Sequence, residues 1–442
     1  MTTPSKKILV FCDGTGLDGL IASDILCDQG ASRATNVLRL SRAVKPFRTL
    51  SNGNKIPQIT FYQSGVGSDS DFNGQGFTTA KLVQAYGRVV ASKIRDAYTF
   101  IAQNYESGDE IYLFGYSRGA YTARKVAGLI DRIGLLSRRD LGQFFDICER
   151  LQKNPNSVAR PTTEIPVKCV GVWDTVGSVT VPKTLGGILT TPVPQNILDS
   201  LGLTDCSLPN CVKMARHAVA FHENRDVMKV TLWDAPTVDG DERVKQVWFG
   251  GGHSDIGGGG EFRELADITL FWMASTYSQT EINSLIELDH SMLWGSHIMP
   301  PRGWRGGWGA AQPYNGNAED MNTRVFGATT REAQIIGRIS TRLHASLRQS
   351  PQPSNPRNML TVKTIKGTLP KYVELTAGTL EHELMTKWNS SGQAFHPESP
   401  QSVFTRLPAT FLGGALDVVG GVVRVSADIV GGVTNALGRL WG

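Results

Sequence analysis

The chain has 442 residues, 40% of them hydrophobic and 19% charged, with a net charge of +5. That length supports a full globular core, and the interleaving of acidic and basic residues excludes the one-sided basic footprint of a nucleic-acid binder. The N-terminus Met1-Thr-Thr-Pro-Ser-Lys-Lys is polar and passes straight into an apolar run, so neither a secretory signal nor a membrane span is expected there, and a cytoplasmic chain is predicted.

The first apolar run, Ile8 to Cys12, reads as a strand and ends in Cys12-Asp13-Gly14-Thr15-Gly16. A strand followed by Asp-Gly-Thr has two chemical readings. A phosphatase of the haloacid dehalogenase type needs a second Asp where Thr15 stands, so that reading fails. In a hydrolase, Gly14 and Thr15 lend backbone amides to a developing oxyanion. Asp13 capping a turn through its own side chain is the structural alternative. A second strand is expected over Gln58 to Gln63. From Thr79 to Tyr105, Leu82, Ala85, Val89, Ile94, Ala97 and Ile101 fall close to helical spacing, which predicts a helix.

The third run, Glu110 to Gly115, leads into Gly115-Tyr-Ser117-Arg-Gly119 and then into a helical period. Strand, G-x-S-x-G and helix in that order make a nucleophile elbow, with Ser117 in a strained turn and the amide of Arg118 facing the oxyanion. The fourth run, Val167 to Trp173, delivers Asp174. The fifth, Val244 to Phe249, delivers His253 within Gly-Gly-Gly-His-Ser-Asp-Ile-Gly-Gly-Gly-Gly. A serine hydroxyl attacks only when an imidazole takes its proton, and that imidazole needs a carboxylate to fix its tautomer. Ser117, Asp174 and His253 stand in the chain order of α/β-hydrolases, with Asp255 as the alternative acid. Near-continuous apolar strands between helices predict an α/β fold, with a mainly parallel sheet covered on both faces.

Taken together, the motifs CDGTG, TNVLRL, YQSGVGS, IRDAYTFIAQNY, GDEIYLFGYSRGAYTAR, GLIDRIGLL, GVWDTVGS, RHAVAFHENR and QVWFGGGHSDIGGG resemble the α/β-hydrolase domain family that includes the type VI secretion phospholipase effectors and many fungal proteins. The resemblance runs from about Lys6 to Ser275 and is nearer to the fungal branch. It implies a serine esterase, a phospholipase A or lipid esterase, with Ser117, Asp174 and His253 at the family's triad positions. Two departures touch substrate preference: His222-Glu-Asn-Arg225 stands where Asp-Glu-Arg-Arg is common, and Gly260 where an aromatic is common. No cofactor or metal is implied, and the expected partner is a lipid or other ester substrate. The rival class is a catalytically silent lipid-binding or interaction module on the same fold. An intact Ser, His and Asp argues against it.

Cys12, Cys27, Cys148, Cys169, Cys206 and Cys211 lack CxxC spacing, so free thiols are expected rather than a disulfide framework or zinc site. The expected domains are a hydrolase domain over 1–300 with a Gly/Pro/Leu-rich cap at 179–209, an extension over 301–405, and a glycine-rich helix or hairpin over 406–442. His344 in that extension is read as structural. Near the C-terminus, Asp417-Val-Val-Gly-Gly-Val422 recurs as Asp428-Ile-Val-Gly-Gly-Val433. On a helix that spacing would align Gly413, Gly420 and Gly431 in a stripe, and residues 411–442 are the expected contact with a membrane surface.

Overall fold

The computed structural model describes residues 5–15, 34–65, 79–177, 207–223, 228, 230–234, 243–260, 264–275, 285–294, 341–345, 347, 370–373, 377–384, and two short strands within 418–423. Its centre is a nine-stranded sheet of order β2-β3-β1-β4-β5-β6-β7-β8-β9. In chain order the elements are β1 (Lys7–Cys12), α1 (Asn36–Ala43), β2 (Phe47–Thr49), β3 (Lys55–Gln63), α2 (Thr79–Asn104), β4 (Glu110–Tyr116), α3 (Arg118–Ile133), α4 (Phe144–Lys153), β5 (Val167–Trp173), β6 (Ala215–Ala220) and β7 (Val244–Phe249). They are followed by α5 (His253–Gly257), α6 (Glu264–Met273), α7 (His290–Trp294), β8 (Thr341–His344) and β9 (Tyr372–Val373). Within this sheet all pairings are parallel except that of the edge strand β2 with β3.

Strand period explains why both faces are covered. Ile8 and Val10 of β1 and Ile111 and Leu113 of β4 point to one side, where they pack with Ile94, Tyr98 and Ile101 of α2 and Ala123 and Val126 of α3. Leu9, Phe11, Tyr112 and Phe114 point to the other side, toward Val37 and Leu40 of α1 and Ile268 and Phe271 of α6. Phe11 and Phe114 stack with ring centroids 5.0 Å apart. Burying each such ring stabilises the fold by about 1.5–3 kcal/mol, and both are fully buried.

The chain leaves β1 toward β3 and returns to place β4 on the other side of β1. The strand order therefore reverses between β1 and β4, the position at which open α/β sheets bind ligands beyond their carboxyl ends. Register aligns those ends: Cys12 lies level with Gly115, Tyr116 with Trp173, and Ala220 with Phe249.

Sequence and structure differ at several elements, the short edge strand β2 among them. β6 was absent from the expected strands because Arg216 and His217 interrupt its apolar run, yet all of it is buried. A network absorbs the imidazole: His217 Nε2 accepts from the Thr175 amide at 3.1 Å, and Nδ1 lies 3.3 Å from Gln246 Oε1. Beyond residue 300, β8 and β9 extend the same sheet, and the compact unit runs to Phe395. His344 stacks on Phe249 at 4.4 Å and pairs with Glu381 at 2.6 Å. In the unit from His396 to Gly442, Val418–Val419 (β10) pairs antiparallel with Val422–Val423 (β11). Valine is β-branched and favours strands, so within the stretch expected as a helix or hairpin over 406–442 these two valine pairs lie in strands. The cap segment lies outside the described residues except for 207–209, as does the second repeat.

Candidate active site

Four loops meet above the carboxyl ends of β1, β4, β5 and β7. Ser117 follows β4 directly with φ 56 and ψ −120, and Asp174 follows β5 with φ 36. Among the described residues these two alone combine a side chain with positive φ. Such strain costs of order 1–3 kcal/mol each, about what one buried core aromatic offsets. Both turns are held by neighbouring strands. The Ser117 amide donates to Trp173 O at 3.0 Å and the Asp174 amide to Ala218 O at 2.8 Å.

The three side chains form a chain of hydrogen bonds. His253 Nε2 lies 2.8 Å from Ser117 Oγ, and its Nδ1 lies 2.7 Å from Asp174 Oδ2. The second carboxylate oxygen of Asp174 accepts the Ala220 amide at 3.0 Å, so both oxygens are engaged and the carboxylate faces the ring. All three residues are buried.

The glycines of the histidine loop admit close neighbours. Tyr116 donates its hydroxyl to His253 O at 3.1 Å, and its ring lies 4.8 Å from the imidazole. A Cβ on Gly257 would fall 2.0 Å from that ring. Asp255 accepts the Gly252 amide at 2.8 Å, shaping the turn that starts α5. It is Asp174, not Asp255, whose carboxylate faces His253 Nδ1 in this structure.

Two residues that the sequence ties only to substrate preference, His222 and Glu223, follow β6 and hold the histidine loop. Glu223 Oε2 accepts the His253 amide at 3.1 Å, and His222 Nδ1 accepts the Gly251 amide at 2.8 Å. Burial lowers the His222 pKa to about 4, so its ring is neutral and able to accept. The sequence signal was Phe221-His-Glu directly after β6, hidden because β6 itself was not read as a strand.

The first loop packs against the elbow. A Cβ on Gly119 would fall 2.1 Å from Cys12 O and 2.4 Å from Asp13 O, and one on Gly115 would fall 2.4 Å from Gly119 O. All are backbone atoms that cannot yield cheaply. Gly119→Ala is therefore expected to destabilise the protein by ~1–3 kcal/mol or more through overpacking. Gly142→Ala, where a Cβ meets nothing within 4 Å, is expected to leave the melting temperature within a degree or two. Thermal denaturation compares the two, and equal stability would remove the close approach as the reason for glycine.

The Gly14 amide donates to Asp13 Oδ1 at 2.7 Å, and the Arg118 guanidinium bonds to Thr15 Oγ1. Asp13 thus caps its own turn, and the elbow and first loop are tied side chain to side chain. The Cys12 thiol beneath them is pushed up to about 12, chiefly by burial, so it is no rival nucleophile. Among the described residues, no group of three or more His, Cys, Asp or Glu is placed to hold a metal.

A mainly parallel sheet with a strained serine between the interior strand β4 and helix α3 defines an α/β-hydrolase-like protein. Residues 6–276 match the family model described as "T6SS, Phospholipase effector Tle1-like, catalytic domain". The chain belongs to that family. A curated relative, the uncharacterized protein YEL023C of Saccharomyces cerevisiae (strain ATCC 204508 / S288c), is 29% identical over 234 residues, 46% of this chain and 32% of that one. The chain thus spans about a third of that relative's length. Among solved structures, the Tle1 effector bound to the VgrG spike from the type 6 secretion system is 20% identical, covering 58% of this chain and 51% of that one, with a TM-score of 0.34. An uncharacterized protein from Pseudomonas aeruginosa is 18% identical, covering 61% and 45%, with a TM-score of 0.35.

Proposed function

We propose that this protein is a serine hydrolase that cleaves carboxylic ester bonds of lipids, as a phospholipase A or lipid esterase. The observation that carries this reading is the unbroken Ser117–His253–Asp174 hydrogen-bond chain at a strained strand-to-helix turn. Membership of a phospholipase effector family supports a lipid substrate.

In this mechanism Ser117 Oγ attacks the ester carbonyl carbon while His253 Nε2 takes its proton. Asp174 holds Nδ1–H and stabilises the imidazolium. The carbonyl oxygen, now an anion, is received by the amide of Arg118 and by that of Thr15, since the Gly14 amide is turned to Asp13. Collapse breaks the ester C–O bond, and the departing alcohol, a lysophospholipid for a phospholipid substrate, takes the proton from Nε2. Water, deprotonated by the same nitrogen, then attacks the acyl-enzyme and releases the fatty acid. Incubation with phosphatidylcholine vesicles should yield equal amounts of fatty acid and lysophospholipid. Release of phosphocholine or phosphatidic acid would instead indicate phosphoester cleavage and contradict the reading.

Residues 411–442 supply a peripheral membrane contact in this reading. The supporting observation is the repeated apolar Gly-Gly unit. Deleting 411–442 is expected to preserve hydrolysis of a short soluble ester and to lower vesicle hydrolysis and binding about tenfold, the loss expected from removing ~1.4 kcal/mol of interfacial affinity. Equal loss on both substrates with a lowered melting temperature would make the tail a structural clasp.

A further inference from the structure

The motif Thr35-Asn36-Val-Leu-Arg-Leu40 takes no part in the acyl transfer above, yet its first two residues touch both halves of the site. Thr35 is the N-cap of α1, and its Oγ1 accepts the Leu38 amide at 3.0 Å and donates to Asp13 Oδ2 at 2.8 Å. Asp13 accepts two further donors, the Tyr62 hydroxyl at 2.6 Å and the Gly14 amide at 2.7 Å. One buried carboxylate thus sets the turn that carries Thr15.

The same residues hold the histidine loop. The Thr35 backbone bridges to Gly258, which has φ 79 and leaves so little room that a Cβ would sit 3.1 Å from Ala34 O. Asn36 is fully buried, and its Nδ2 lies 3.0 Å from Ile256 O, 2.8 Å from Ala266 O and 3.0 Å from Thr269 Oγ1. Thr269 Oγ1 also donates to Ile256 O at 2.7 Å. Ile256 and Gly258 flank the end of the five-residue helix that begins with His253. A helix of that length cannot hold its own orientation, so these outside contacts set it.

We propose that Thr35 is a positioning residue, a hydroxyl clamp that through Asp13 keeps the oxyanion loop in register with the histidine loop held by Asn36 and the Thr35 backbone. The inference rests on the hydrolase reading of Ser117, Asp174 and His253. Acyl transfer needs the oxyanion donors and the base aligned together, and a misplacement of about 1 Å can cost 10²-fold in rate.

The test compares Thr35→Val, Thr35→Ser and Tyr62→Phe on a soluble ester, with active sites counted by titration to completion with a fluorophosphonate. Thr35→Val is expected to lower kcat per titrated site by about 10- to 100-fold with KM within about twofold. Thr35→Ser, which restores the hydroxyl, should keep at least about half of the wild-type kcat. A merely structural cap would lower the melting temperature and leave kcat per site unchanged, which would overturn the clamp. Tyr62→Phe keeps the helix cap and removes one donor to Asp13, so it decides the matter if Thr35→Val does not fold. A fall of about threefold or more in its kcat supports the clamp, and wild-type kcat overturns it. A wild-type protein whose Ser117 is not labelled would overturn the hydrolase reading and the clamp with it, whereas a labelled wild type with unaltered variants would overturn the clamp alone.

Discussion

Ser117→Ala is expected to abolish ester hydrolysis while leaving the fold in place. The change removes the attacking oxygen and its bond to His253 Nε2, and an alanine at φ 56 is strained no more than the serine it replaces. Loss of one member of a coupled triad costs on the order of 10⁴ or more in kcat. The melting temperature should shift by no more than a few degrees, because little packing is lost. Hydrolysis near the wild-type rate in purified Ser117→Ala would remove Ser117 as nucleophile.

The second large effect separates the two candidate acids, Asp174 and Asp255, which have different partners in the structure. Asp174 approaches His253 Nδ1 at 2.7 Å, whereas Asp255 accepts the Gly252 amide. In Asp174→Asn the side-chain amide can donate to Nδ1, which moves the ring proton to Nε2, where the proton of Ser117 must go. A loss of about 10⁴ in kcat is expected. Asp255→Asn retains an oxygen for the Gly252 amide and should remain within about tenfold of wild type. Steady-state kinetics on one soluble ester decide the ranking, and the reverse order would give the acid role to Asp255.

How much of this was legible follows from the physics of each element. β5 could be read residue for residue because Lys168 is the one charged residue in Val167–Trp173, and β7 because the bulky apolar run Val247–Phe249 and the glycine loop after it mark the strand despite Lys245 and Gln246, where β6 offers only Ala-Val-Ala. α2 was legible from its spacing, since its expected span, Thr79 to Tyr105, differs from the observed Thr79–Asn104 by one residue. β6 was hidden because a buried network, not hydrophobicity, accommodates Arg216 and His217, and such long-range compensation leaves no local periodic signal. With β6 went the roles of His222 and Glu223.

The site divides in the same way. G-x-S-x-G carries its mechanism in the sequence, because Gly115 and Gly119 are demanded by backbone atoms nearby. The role of the Gly14 amide was not legible, because it depends on which way the Asp13 carboxylate turns, and that is set by Thr35 and Tyr62 from other elements. β8 and β9 escaped for a third reason: they are short, and strands of so few residues carry no period to detect.

Labelling with a fluorophosphonate probe, followed by mapping of the modified peptide, tests the central claim most directly. A phosphonate is attacked only by a serine that a neighbouring base activates, so the reaction reads the nucleophile before any natural substrate is known. The account predicts one stoichiometric adduct on Ser117 in the wild-type protein and none in Ser117→Ala. An unlabelled wild-type protein, or an adduct that persists on another residue in Ser117→Ala, would contradict it.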